Sequence, residues 1–113
     1  MNEIFIKSLY ETIVKDKELY RSQLDNSNID KVKDEYLKQV LEIYNNVSEE
    51  KKDALIDFIE LVIIDTISHI LGIIDGSSTL SGCDAEPKLY LDNVDTDNEL
   101  QDLFLQYVEE IEE

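Results

Sequence analysis

Asp65 and His69 stand four residues apart in a stretch of helical periodicity, so their side chains share one helix face. A carboxylate so placed can orient an imidazole as a general base, and the two groups together can begin a metal site. Two ligands fall short of a stable site, and no His-Glu-x-x-His pair supplies more. On a helical wheel the pair falls beside Phe58 and Val62, at the margin of the apolar face. There an Asp holding a His satisfies a partly buried polar position, and that structural role is the expected one. Ser68 cannot complete a triad, because adjacent helical residues point in different directions.

The run Asp92-Asn93-Val94-Asp95-Thr96-Asp97-Asn98-Glu99 invites comparison with a calcium loop. Counted from Asn93, the first, third and fifth positions are Asn93, Asp95 and Asp97, and Leu100 is the apolar eighth. The sixth is Asn98 instead of glycine and the twelfth is Phe104 instead of a bidentate glutamate, so no metal is expected. Cys83 is the only cysteine, which excludes an intramolecular disulfide, and its acidic surroundings oppose a nucleophilic thiolate. No Gly-x-x-x-x-Gly-Lys pattern cradles phosphate. Without a nucleophile, base and oxyanion group in any recognisable constellation, neither catalysis nor a cofactor is expected.

Charge is the stronger signal. The 113 residues hold 27 acids and 10 bases, a formal net charge of −17. Nucleic acid and anionic membranes both demand a local excess of Lys and Arg, so neither is an expected partner. The charge is also uneven: residues 1–47 carry nine acids and seven bases, residues 48–113 eighteen acids and three bases. From Leu89 onward there are nine acids and no base. Glu109, Glu110, Glu112 and Glu113 then oppose the negative end of their own helix dipole.

The elements that must carry these residues follow from spacing. Ile6, Leu9, Ile13, Tyr20 and Leu24 predict a helix over about 2–24, and Ile29, Val32, Tyr36, Val40, Leu41, Tyr44 and Val47 a second over about 28–46. Ser48 caps a third over 49–75, with Glu49 and Glu50 in its first turn and Gly76 as its left-handed stop. Its core face is expected to comprise Leu55, Phe58, Ile59, Val62, Ile63, Ile67, Ile70, Ile73 and Ile74, with Leu61, Ile64 and Leu71 adding apolar area among the acids. Tyr36, Tyr44 and Tyr107 are expected at core edges. Lys88–Asp92 alternates like a strand, with Ser78–Leu80 as its expected partner. Thr96 and Glu99 form an expected capping box for a last helix over about 97–111, striped by Leu100, Leu103, Phe104, Tyr107, Val108 and Ile111.

The sum is a single mainly α domain, a helical bundle of about four helices, with a short β-hairpin or extended segment between the third and fourth. Asp57, Glu60, Asp65 and His69 interrupt the most apolar stretch, Ala54–Ile74, and the first residues carry no secretory pattern, so a cytoplasmic protein is expected. Small acidic helical proteins that neutralise basic toxins, as bacterial immunity proteins do, share this balance of size and charge, although no family motif accompanies it. The expected function is therefore docking on a basic protein, such as a toxin or a nuclease, whose phosphate-binding surface acidic side chains can occupy. Asp92, Asp95, Asp97, Glu99 and Asp102 are the expected contact residues, with Tyr90 as an aromatic anchor. The alternative is an adaptor that self-associates, as a homodimer for example, through exposed apolar parts of the first and third helices.

Overall fold

Helix dominates the chain, as the hydrophobic spacing predicts. A computed structural model describes residues 1–112. In order they form α1 (Asn2–Ile13), a 3-10 turn (Val14–Asp16), α2 (Lys17–Asn26), α3 (Glu35–Asn45), α4 (Glu49–Asp75), β1 (Tyr90–Leu91), β2 (Val94–Asp95) and α5 (Leu100–Glu112). With α1, the 3-10 turn and α2 counted as the one stretch predicted over 2–24, these are four helical stretches with a short antiparallel hairpin before the last.

Two compact units divide the chain. The first comprises residues 1–14 and the chain from residue 63 onward. Its core gathers Ile6, Tyr10 and Val14 of the N-terminal segment with Ile64, Ile67 and Leu71 of α4 and Leu100, Phe104 and Val108 of α5. Asn2 bonds to Thr96 and Glu99 at one end, and eight residues further along each helix the rings of Tyr10 and Tyr107 meet edge to face at 5.4 Å. α1 and α5 therefore run parallel.

The second unit, Lys15–Val62, is tied by charge as well as by apolar contact. Leu41, Tyr44 and Ile56 are buried there. The Arg21 guanidinium on α2 pairs with Asp53 and lies 3.6 Å from Asp25 and 3.8 Å from Glu49. The Tyr44 hydroxyl donates to Asp25, and the Lys52 ammonium sits 4.8 Å from the centre of the Tyr44 ring. Burial, then the hydrogen bond to Asp25 and that carboxylate's charge, push the Tyr44 phenol up to about 12. Lys17 pairs with Glu60, which raises the pKa of its ammonium.

Several elements depart from expectation for identifiable reasons. The second helix begins at Glu35, not at residue 28, because polar side chains compete for its backbone. Asn28 accepts from the Asp30 N–H to build a turn, and Asp34 caps the helix by accepting from the Tyr36 N–H. Tyr36 is 75% exposed, so it is not a core-edge residue, whereas Tyr44 is buried. α4 has the predicted bounds, and Ser48 caps it by accepting from the Lys51 and Lys52 amides. Gly76 ends it at φ 85°, with Gly76 N–H bonded to Ile73 and Ser77 N–H to Gly72, a Schellman closure.

The buried face of α4 overlaps the expected one in part: Ile67 is buried and Ile59, Ile63, Ile73 and Ile74 are half-buried. Ile56, Ile64, Ile67 and Leu71 are buried, whereas Leu55, Phe58, Leu61, Val62 and Ile70 are exposed. The small residues Ser68 and Gly72 share the buried face, and they allow the amide of Gln101 to lie against the helix backbone.

Candidate partner-binding surface

Pairing of Tyr90 with Asp95 and Leu91 with Val94 leaves Asp92 and Asn93 as a two-residue turn. Their φ values of 49° and 68° give the twist that a tight hairpin favours. The partner of the predicted strand is thus Val94–Asp95 instead of Ser78–Leu80, since a two-residue turn closes a hairpin more readily than the seven-residue loop 81–87. Thr96 prolongs the hairpin, its N–H and hydroxyl both donating to the Leu89 carbonyl at 3.1 and 3.0 Å.

That use of Thr96 dissolves the expected capping box. Asp97 and Asn98 follow in the left-handed region, with φ 59° and 56°, and the helix starts only at Leu100. Glu99 takes over as cap residue, its carbonyl accepting from the Leu103 N–H while its carboxylate accepts from Asn2 Nδ2 at 2.8 Å. A carboxylate from α4 completes the cap: Asp75 Oδ2 accepts from the Gln101 N–H at 2.7 Å. Four left-handed positions are filled without glycine. Asp and Asn tolerate that region best among residues with a Cβ, and two of the four carry carboxylates where glycine would be conformationally easier.

Each residue expected to contact a partner has a definite place. Tyr90 is 54% exposed on β1, and Val94 on β2 is similarly open. Asp92 occupies the turn, Asp97 the left-handed pair and Asp102 the first turn of α5; all three are exposed. Asp95 is more engaged, accepting from the Asp97 N–H at 2.8 Å and lying 3.8 Å from the Lys88 ammonium. Glu99 is held by Asn2. Asp92, Asp97 and Asp102 are therefore the least engaged of these carboxylates.

Sequence reasoning missed the residues that hold this segment in place. Gln101 donates from Nε2 to the Ser68 carbonyl at 3.0 Å and accepts from the Ser77 hydroxyl at 2.8 Å. A Cβ on Gly72 would come within 2.7 Å of the Gln101 amide nitrogen. The glycine inside an otherwise apolar helix was the available hint, since such a glycine marks a close approach. Asn2 and Asp75 gave none, because their partners are distant in sequence.

The other candidates for chemistry are dispersed. Asp65 and His69 are both exposed and no hydrogen bond or ion pair joins them, so the half-buried pairing expected of them is not formed. Cys83 is exposed in the 76–88 loop. In the calcium-loop register, Asn98 does adopt the left-handed conformation of the missing glycine, but Phe104 at the twelfth position is fully buried. Among the described residues no three His, Cys, Asp or Glu side chains come together as a metal site, and no helix is long and apolar enough to cross a membrane.

The two units sharpen the charge asymmetry. Met1–Val14 and Ile63–Glu113 together hold fifteen acids and two bases, while Lys15–Val62 holds twelve acids and eight bases. In comparisons with known proteins, no family model, no curated protein and no solved structure matches this chain.

Proposed function

We propose that this chain is a small acidic binding protein that docks on a basic protein and neutralises it, in the way of an immunity-protein-like inhibitor of a toxin or nuclease. The observation that carries the reading is the charge partition: a unit with fifteen acids and two bases surrounds a hairpin and helix start that are free of bases from residue 89 onward. A field of one sign steers a cationic partner and accelerates its encounter by one or more powers of ten at low salt. Exposed Tyr90 and Val94 among those acids supply the apolar contact that charge alone lacks.

The test is capture of a basic protein from the native host at low salt, with release by moderate salt, followed by charge reversal. Asp92, Asp97 and Asp102 changed together to Lys should abolish capture. Reversal of Asp30, Glu42 and Glu50, exposed acids of the Lys15–Val62 unit, should leave it largely intact. Equal effects from the two sets would reduce the charge to a solubility device.

A second reading rests on a different surface. Leu55, Phe58, Leu61 and Val62 form an exposed apolar stripe on α4, and Phe58 is 61% exposed. Such a stripe suits a self-associating adaptor. Salt-insensitive dimerisation in sedimentation, lost in Phe58→Asp, would favour it.

A further inference from the structure

Parallel packing of α1 and α5 leaves a groove of about 390 Å³ along one side of their seam. Its floor is apolar, made by Ile6, Leu103 and Tyr107. The walls are polar and exposed: Glu3 and Lys7 rise from α1, Gln106 and Glu110 from α5. With Asn2 level with Glu99 and Tyr10 level with Tyr107, Glu3 and Glu110 stand about ten residues apart along the helix direction, or about 15 Å. The groove therefore has an acid near each end, Glu3 with the N-terminal ammonium 3.8 Å from its carboxylate and Glu110, and an apolar trough between. It is also continuous with the proposed interface, because Glu99 lies on the same face of α5 as Leu103, Gln106 and Glu110, with Asp102 beside it.

We infer that this groove receives an apolar anchor of the basic partner, presented by a helix whose cations flank it by about three turns. The inference rests on the acidic-interface reading and adds to it the recognition element: which side chain the partner inserts, and where. Complementarity argues for that occupant. An apolar trough gives affinity to a Leu or Phe side chain, and acids at both ends select cations at both ends of the inserted segment. Lys7, midway along the α1 wall, favours an acidic or polar residue of the partner between its cations. The groove thus selects charge order as well as charge sign.

The probe is a synthetic helical peptide with two Lys about eleven residues apart and Leu and Phe between them on the same face. A control peptide carries Ser in place of that Leu and Phe. Binding is measured to the full chain by fluorescence anisotropy and mapped by amide NMR. The expected result is shifts centred on Lys7, Leu103, Gln106 and Tyr107, with the Ser peptide binding about ten-fold more weakly or worse, the loss expected for one buried apolar side chain. Gln106→Trp, which fills the trough from an exposed position, should weaken binding to a similar degree; Glu3→Lys with Glu110→Lys should do so without filling it. Melting temperatures of the variants verify that they fold. If the two peptides bind equally, with shifts confined to residues 92–102, the groove assignment is overturned while the acidic interface stands. If neither peptide binds, the groove assignment falls, and the acidic reading is decided separately by the capture and charge-reversal experiment.

Discussion

Gln101 links more of the first unit than any residue the sequence singled out. Its backbone N–H caps α5 on Asp75, and its side-chain amide bridges Ser68 and Ser77 across Gly72. An alanine at Gly72 gains about 1 kcal/mol of helix propensity, yet its Cβ would press within 2.7 Å of the Gln101 nitrogen. That amide is the end of a flexible side chain and can swing aside, but doing so forfeits hydrogen bonds of about 0.5–1.5 kcal/mol each, so Gly72→Ala is expected to be close to neutral. In a Gln101→Ala background the same change should stabilise it. A coupling of about 1–3 kcal/mol from the double-mutant cycle, read by denaturant unfolding, checks this; simple additivity refutes it. Tyr44 gives a second outcome. Its phenol is held up to about 12 in the fold, whereas an unfolded phenol titrates near 10. The folded state keeps this proton longer, so the associated stability is whole below about pH 10 and drains away as pH climbs from there towards 12. Tyr44→Phe should flatten that alkaline fall in melting temperature, and the difference between the two phenolate absorbance titrations should isolate a late-ionising group.

The last turn of α5 contains Glu109, Glu110 and Glu112 and no base. Each carboxylate there opposes the helix dipole at a cost of about 0.3–1 kcal/mol at low ionic strength, so Glu109→Lys and Glu112→Lys should each raise the melting temperature, less so in high salt. A melting temperature that ignores these reversals would mean that the terminal acids cost nothing. Where elements rest on local signals, their bounds were legible. Ser48 and Gly76 delimit α4 as predicted, and Leu100, Phe104 and Val108 of the predicted stripe are buried on α5. Where two interactions competed, the sequence was ambiguous. Thr96 had a capping role available through Glu99 but spent its hydroxyl on Leu89, and nothing nearby in sequence distinguished those outcomes. The face of α4 was only partly legible from apolar spacing, because apolar residues occur almost all round it and the choice among them is made by packing against α1 and α5, which are distant in sequence. Of the candidate surface, the acids and Tyr90 were legible as composition. The groove between α1 and α5 was not, since it exists only once two helices about a hundred residues apart pack in parallel.

Charge sets two opposing demands on the molecule. Fifteen acids and two bases within one unit repel one another, and that repulsion weakens folding, whereas twelve acids and eight bases in Lys15–Val62 largely offset each other. Salt shortens the Debye length from about 30 Å at 0.01 M to about 10 Å at 0.1 M. Screening should therefore stabilise the chain while it weakens capture of a cationic partner. The two responses should have opposite signs over the same salt range, measured as melting temperature and as affinity for the Lys-bearing peptide. Hydrogen exchange locates the effect: amides of α1 and α5 should gain more protection with added salt than those of α2 and α3, because only the former belong to the uncompensated unit. If melting temperature fell as salt rose, attractive pairs such as Arg21 with Asp53 and Lys17 with Glu60 would dominate the electrostatics, and the acidic unit could no longer be regarded as holding its charge at the expense of stability. A rise in stability matched by a loss of affinity would instead identify a surface whose charge is kept for an encounter, because solubility alone needs no such concentration on one unit.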